Sequence, residues 1–204
     1  MYTIREGEFL VRLARSAVET YLSTGTKISP PAAPSPRLLD KSGVFVTLEK
    51  VSIGVEGRSL RGCIGYPEPL LSLVEATVDS ALGAAFNDPR FPPVEQGELG
   101  SIVFEVSILT PPIRVETSHP KELPTLIRVG RDGLIIESGF YRGLLLPQVP
   151  VEYGWDEETF LAECCMKAGL PPDAWLSRKT AVYRFTAEIF AEATPRGEVV
   201  QKPL

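Results

Sequence analysis

Residues Ile102 to Leu109 alternate strictly. Ile102, Phe104, Val106 and Ile108 fall on one side of an extended chain, and Val103, Glu105, Ser107 and Leu109 on the other. The run has no Gly or Pro to interrupt it, so it predicts a strand. A strand needs neighbours, and the rest of the chain supplies them mainly as hairpins. From Gly43 the apolar period is two, with Val44, Val46 and Leu48 alternating with Phe45, Thr47 and Glu49. Gly54 and Gly57 mark a turn, and Arg58 to Ile64 returns as the second strand. Gly133 to Glu137 and Phe140 to Leu146, joined at Ser138-Gly139, read as another hairpin. Tyr183, Phe185, Ala187 and Ile189 make a last strand.

Helices fall between these strands without βαβ alternation. Thr3 and Glu6 form a capping box for a first helix, whose apolar face is Leu10, Leu13, Ala14, Ala17 and Tyr21, with Gly25 as its stop. Pro69 suits the first position of a second helix, and Asn87-Asp88-Pro89 ends it, because the residue before a proline leaves helical geometry. Asp156 caps a third helix that buries Leu161, Cys164, Cys165 and Ala168 and stops at Gly169. Ser29 to Pro36 holds four prolines and is a stiff surface connection. Dominant hairpins with interspersed helices predict an α+β fold with a largely antiparallel sheet. At 204 residues the chain is long enough for one large domain or two closely packed lobes.

Composition narrows the function classes. Apolar residues are 44% and charged residues 23%, the balance of a folded globular protein. No apolar run reaches the ~20 residues of a membrane span, and the N-terminus lacks the order of a signal peptide, so the expectation is a cytoplasmic protein with no membrane partner. Net charge is −5 with no Lys/Arg stripe, which argues against nucleic acid as a partner. Three cysteines, two of them adjacent, predict free thiols rather than a disulfide framework. The single asparagine and two methionines hint at a heat-living source.

The candidate chemistry centres on Leu60-Arg61-Gly62-Cys63-Ile64-Gly65. Gly62 and Gly65 allow close backbone approach, so a ligand could reach the thiol. In an extended strand Arg61 and Cys63 project to the same side, where a guanidinium would favour thiolate. The other reading is a small buried cysteine beside glycines that let the strand bulge. Asp88-Pro89-Arg90-Phe91-Pro92-Pro93 is a rigid loop carrying opposite charges, read either as a site that presents Asp88 and Arg90 or as an ion pair bracing a proline turn. Glu105 is a buried carboxylate suited to acid–base work if both faces of its strand are covered, and otherwise a solvated one. Nothing places His119, the one histidine, near Cys63, and no Cys or His pair has metal-ligand spacing, so neither a metal nor another cofactor is expected.

Together these stretches, with Glu105-Val106-Ser107-Ile108-Leu109-Thr110, Gly143-Leu144-Leu145-Leu146-Pro147-Gln148-Val149 and Lys167-Ala168-Gly169-Leu170, resemble the AMMECR family. The resemblance runs from the first helix to the Tyr183 strand. It implies that residues 1–204 form a single domain of two closely packed α+β lobes, with a cleft between them where the Arg-Gly-Cys-Ile-Gly motif lies. Prokaryotic family members often occur alongside a Memo-type protein and a radical-SAM-type enzyme, which the resemblance implies as pathway partners. It implies no established reaction.

Two functions follow. One is an enzyme acting on a small molecule or a modified residue, with Cys63 as nucleophile or thiol carrier, Arg61 or Arg90 stabilising anionic charge, and Glu105 or Asp88 moving protons. The other is a non-catalytic module that binds a small molecule or a protein. Both expect Arg61, Cys63, Arg90 and Glu105 to line one concave site.

Overall fold

The computed structural model of the protein describes residues 1–51 and 57–203. In chain order its elements are α1 (Ile4–Thr24), β1 (Gly43–Val51), β2 (Arg58–Tyr66), α2 (Leu73–Leu82), β3 (Ile102–Leu109), β4 (Ile113–Arg114), α3 (Leu123–Leu126), β5 (Gly133–Ser138), β6 (Tyr141–Leu145), α4 (Gln148–Tyr153), α5 (Glu157–Lys167), β7 (Ala181–Phe185), β8 (Ala187–Glu192) and β9 (Val199–Lys202). The fold is α+β. The strands form two sheets, ordered β2-β1-β3-β8-β9 and β4-β7-β5-β6, and every pairing with a described register is antiparallel.

The chain divides into two compact units. Met1–Leu109 and Glu188–Pro203 form the first, and Thr110–Ala187 the second. In the first unit, α1 begins at the Thr3–Glu6 capping box and ends at Gly25, whose positive φ of 71° suits a glycine. Leu10, Ala14, Ala17 and Val18 of α1 and Val74, Val78 and Ala81 of α2 pack with Val44, Val46, Leu48, Phe104 and Val106 of the sheet into one core. A buried ion pair ties helix to sheet. Arg15 Nε donates to Glu192 Oε1 at 2.7 Å, and the backbone N–H of Phe104 donates to Glu192 Oε2 at 3.1 Å. Further hydrogen bonds meet the guanidinium, as buried charges require.

In the second unit, Asp156 caps α5 by accepting from the Thr159 N–H at 2.8 Å. The buried face of α5, with Phe160, Leu161, Cys164 and Cys165, packs with Leu134, Ile136, Val182 and Trp175. All three cysteines are free. Among the described residues no helix is long and apolar enough to cross a membrane.

Two elements differ from the sequence reading. Helix α2 starts at Leu73 rather than beside Pro69, because Ser72 and Glu75 close a capping box that satisfies the first amides. The last predicted strand is two, β7 and β8, in different sheets. The break falls at Thr186, whose N–H donates to Thr110 Oγ1 at 2.8 Å and whose carbonyl accepts from the Thr110 N–H at 2.9 Å. The antiparallel strands thus divide between two sheets. Of the first hairpin's turn, Gly57 has a positive φ of 110°, whereas Gly54 lies outside the described residues.

Candidate functional site

Strand β1 lies between β2 and β3, and its register sets the site. Thr47 pairs across to Cys63 on β2 and to Glu105 on β3, so the three side chains form one row across three strands. Thr47 Oγ1 lies 3.4 Å from Cys63 Sγ, in position to donate to it. Cys63 is half-buried, while Thr47 and Glu105 are buried. Both faces of β3 are buried, so Glu105 is no solvated surface carboxylate. Its Oε2 accepts from Lys202 Nζ of β9 at 2.5 Å, and the same ammonium stands 3.9 Å from Glu49. Two residues along, the Ser107 hydroxyl is buried with no hydrogen-bond partner among the described residues.

Arg61 leaves this row. Leu48 pairs with Gly62 and Glu49 with Leu60, so Arg61 is an extra residue in a bulge. The two-residue alternation from which Arg61 and Cys63 are expected to share a side is broken there by the inserted residue. Arg61 instead donates through Nε and Nη2 to Glu98, at 3.1 and 2.9 Å, and through Nη2 to the Pro93 carbonyl at 3.3 Å. These bonds hold the Glu98 carboxyl down to about 2. Arg61 Nη1 is buried without a hydrogen-bond partner among the described residues.

Asp88 and Arg90 bind the two sequence motifs to one another. Asp88, preceding Pro89, is extended with ψ 113°, which ends the turn of π-helix that follows α2. Its Oδ2 accepts from the Cys63 N–H at 2.8 Å, and Arg90 folds back to donate through Nε and Nη2 at 2.9 and 2.7 Å. Arg90 Nη2 also lies 3.3 Å from the Cys63 carbonyl. Hydrogen bonds from Arg90, followed by those from backbone amides, outweigh burial and hold Asp88 at about 2. Phe91 lies under both guanidiniums, with Arg90 at 5.5 Å and Arg61 at 6.0 Å from its ring centre.

The glycines serve the protein's own packing. A Cβ on Gly62 would stand 2.1 Å from the Ala84 carbonyl oxygen, and one on Gly65 would stand 2.3 Å from the Val44 carbonyl oxygen. The room expected for a ligand at these two positions is filled by backbone. The charge expectation at Cys63 is also reversed. Burial pushes its thiol above the ordinary value; Thr47 and Arg90 oppose that, and Glu105 and Asp88 add to it. At neutral pH Cys63 is therefore a neutral thiol.

Cys63, Asp88, Arg90 and Glu105 thus come together, while the Arg61 guanidinium is engaged by Glu98 and the Pro93 carbonyl. Sequence reasoning missed Thr47 and Lys202. Thr47 becomes visible only once the β1–β2–β3 register is known, and Lys202 sits on a four-residue strand too short to signal itself. His119 is exposed, in the second unit. Among the described residues no group of three or more His, Cys, Asp or Glu side chains could hold a metal ion.

A sequence model of the AMMECR1 family matches residues 11–190. Protein PH0010 of Pyrococcus horikoshii is 60% identical, over 97% of this chain and 95% of its own. A protein of Thermococcus onnurineus is 59% identical over the whole of both chains, and protein MJ0810 of Methanocaldococcus jannaschii is 55% identical over 100% and 98%. The crystal structure of the uncharacterized protein PH0010 superposes with a TM-score of 0.93, covering 98% of each chain.

Proposed function

The chain belongs to the AMMECR1 family, and we propose that it is an enzyme acting on a small molecule or a modified residue at Cys63. The observation that supports this most is the row Cys63–Thr47–Glu105, completed by Lys202: a thiol, a hydroxyl, a carboxylate and an ammonium side by side on one sheet. Such a set supplies a nucleophile and a proton acceptor. Because the resting thiol is neutral, it acts only when its proton is taken. On substrate binding the Thr47 hydroxyl, which donates to Cys63 at rest, turns its hydrogen to the Glu105 carboxylate and accepts the Cys63 proton as it passes on its own, and the sulfur bonds to an electrophilic carbon whose bond to the leaving group breaks. The carboxylic acid then returns that proton to the displaced group. Arg90, which is half exposed, stabilises anionic charge beside the sulfur. The enzyme works in the cytoplasm, in a pathway with Memo-type and radical-SAM-type proteins, as the family resemblance implies.

A second reading, a binding module without chemistry, is favoured by one feature. Arg61 with Glu98, Arg90 with Asp88 and Lys202 with Glu105 already neutralise one another.

Mass spectrometry separates the two readings. The native protein is incubated with a metabolite extract and its cysteine peptides are mapped, with iodoacetamide as the reference electrophile. The enzyme reading expects a covalent adduct on Cys63 that is lost in Cys63→Ser and slowed in Glu105→Gln. Cys164 and Cys165, buried with thiols pushed up to about 12 and about 11, label only after denaturation. If Cys63→Ser retains the same bound species as the wild type and no adduct forms, the protein is a binding module.

A further inference from the structure

The second unit carries a cavity of about 320 Å³ that uses none of the residues around Cys63. It is bounded by the chain that continues from β4, by Leu123 of α3, and by the two turns that precede β7. Its lining is mixed and more polar than apolar: Val115, Leu123, Val182 and the almost fully buried Trp175 supply the apolar part, and Thr117, Ser118, Ser177 and Thr180 add hydroxyls. Its mouth is basic. Arg114 and Arg178 line it against one carboxylate, Glu116, an excess of one positive charge.

The two arginines are committed differently. Arg114 reaches Glu116 at 3.4 Å, but both side chains are more than half exposed, so solvent leaves that pair weak. Arg178 forms no ion pair or hydrogen bond through its guanidinium among the described residues. The backbone beneath it is nonetheless held. The Thr180 N–H donates to the Ser177 carbonyl at 3.0 Å, and the Lys179 N–H donates to Ser177 Oγ at 3.2 Å. A fixed turn thus presents the Arg178 guanidinium at the rim of a cavity of small-molecule size with a mixed lining.

We propose that this cavity binds a small organic anion. A flat apolar body lies against Trp175 and Leu123, and a phosphate or carboxylate is held by Arg178 with Arg114. Guanidinium is the side chain suited to both anions, because its parallel N–H groups match two oxygens at once. A cation is repelled at such a mouth, and a neutral ring leaves Arg178 without a partner.

Calorimetric titration of the full chain with phenyl phosphate, benzoate and phenol tests this. One of the two anions should bind at a single site at least about tenfold more tightly than phenol, the worth of one charge-assisted hydrogen bond. Whichever anion wins identifies the headgroup. Binding should shift tryptophan emission, and this shift should be much reduced in Trp175→Phe. Arg178→Gln should weaken the anion about tenfold, whereas Lys167→Gln, which removes a surface charge of the same unit outside the cavity, should leave it unchanged. Raising the salt should weaken the wild type as well, a reading that needs no variant to fold. Anions that bind no better than phenol, or an Arg178→Gln protein that binds them as the wild type does, would overturn the proposal. Neither outcome bears on Cys63, so this test stands or falls apart from the enzyme reading.

Discussion

Asp88→Asn tests the joint between the two motifs. The substitution keeps size and an acceptor for the Cys63 N–H, but removes the charge that Arg90 clasps at 2.7 Å. A carboxyl held at about 2 rather than 3.8 corresponds to roughly 2 kcal/mol of stability at neutral pH. The Arg90 side chain is 53% exposed, and solvent screening trims the figure to about 1–2 kcal/mol. The sign follows from the direction of the shift. A carboxyl with a depressed folded pKa stabilises fully above its unfolded value near 3.8 and loses that contribution as pH falls towards about 2. Urea unfolding of wild type and Asp88→Asn between pH 7 and pH 2.5 should show a gap of about 1–2 kcal/mol that narrows below about pH 4. Arg90→Gln should produce most of the same loss, and the double variant little more, because the two residues share one interaction. A gap that stays constant across the pH range would refute the electrostatic account, as would additive losses in the double variant.

Other expectations follow from single contacts. Gly62→Ala drives a methyl into the Ala84 carbonyl, and backbone cannot yield as a side chain can; a loss of about 3 kcal/mol in chemical unfolding is expected, and a neutral result would mean that β2 approaches the π-helical turn after α2 less closely than the geometry requires. Lys202→Met removes the ammonium on the buried Glu105 and should cost about 1–2 kcal/mol, measured the same way, with Glu105→Gln/Lys202→Met recovering part of it. Mixed DNA and RNA fragments should not be retained by the protein at physiological salt, since its net charge is −5; retention that weakens with salt would reveal a basic surface.

Much of the architecture was legible in the chain itself. The Thr3–Glu6 box, the Gly25 stop, the eight-residue alternation of β3 and the Asp156 cap are local signals, and local hydrogen bonding and side-chain period decide them. The motifs around Cys63 and Asp88 were likewise visible as unusual stretches. Tertiary structure decided what those stretches do. Whether Arg61 shares a side with Cys63 depends on a one-residue bulge that alternation does not announce. The carboxylate of Asp88 sits on the Cys63 amide from 25 residues away, and Lys202 meets Glu105 from 97 away. The division of the last strand at Thr186 rests on hydrogen bonds to Thr110, 76 residues back. Burial, which is a property of the whole packed unit, raises the Cys63 thiol even though an arginine is its near neighbour in sequence. Periodicity and capping act within a few residues, so sequence determined the elements; charge pairing and desolvation act between distant segments, so only the fold determined the site.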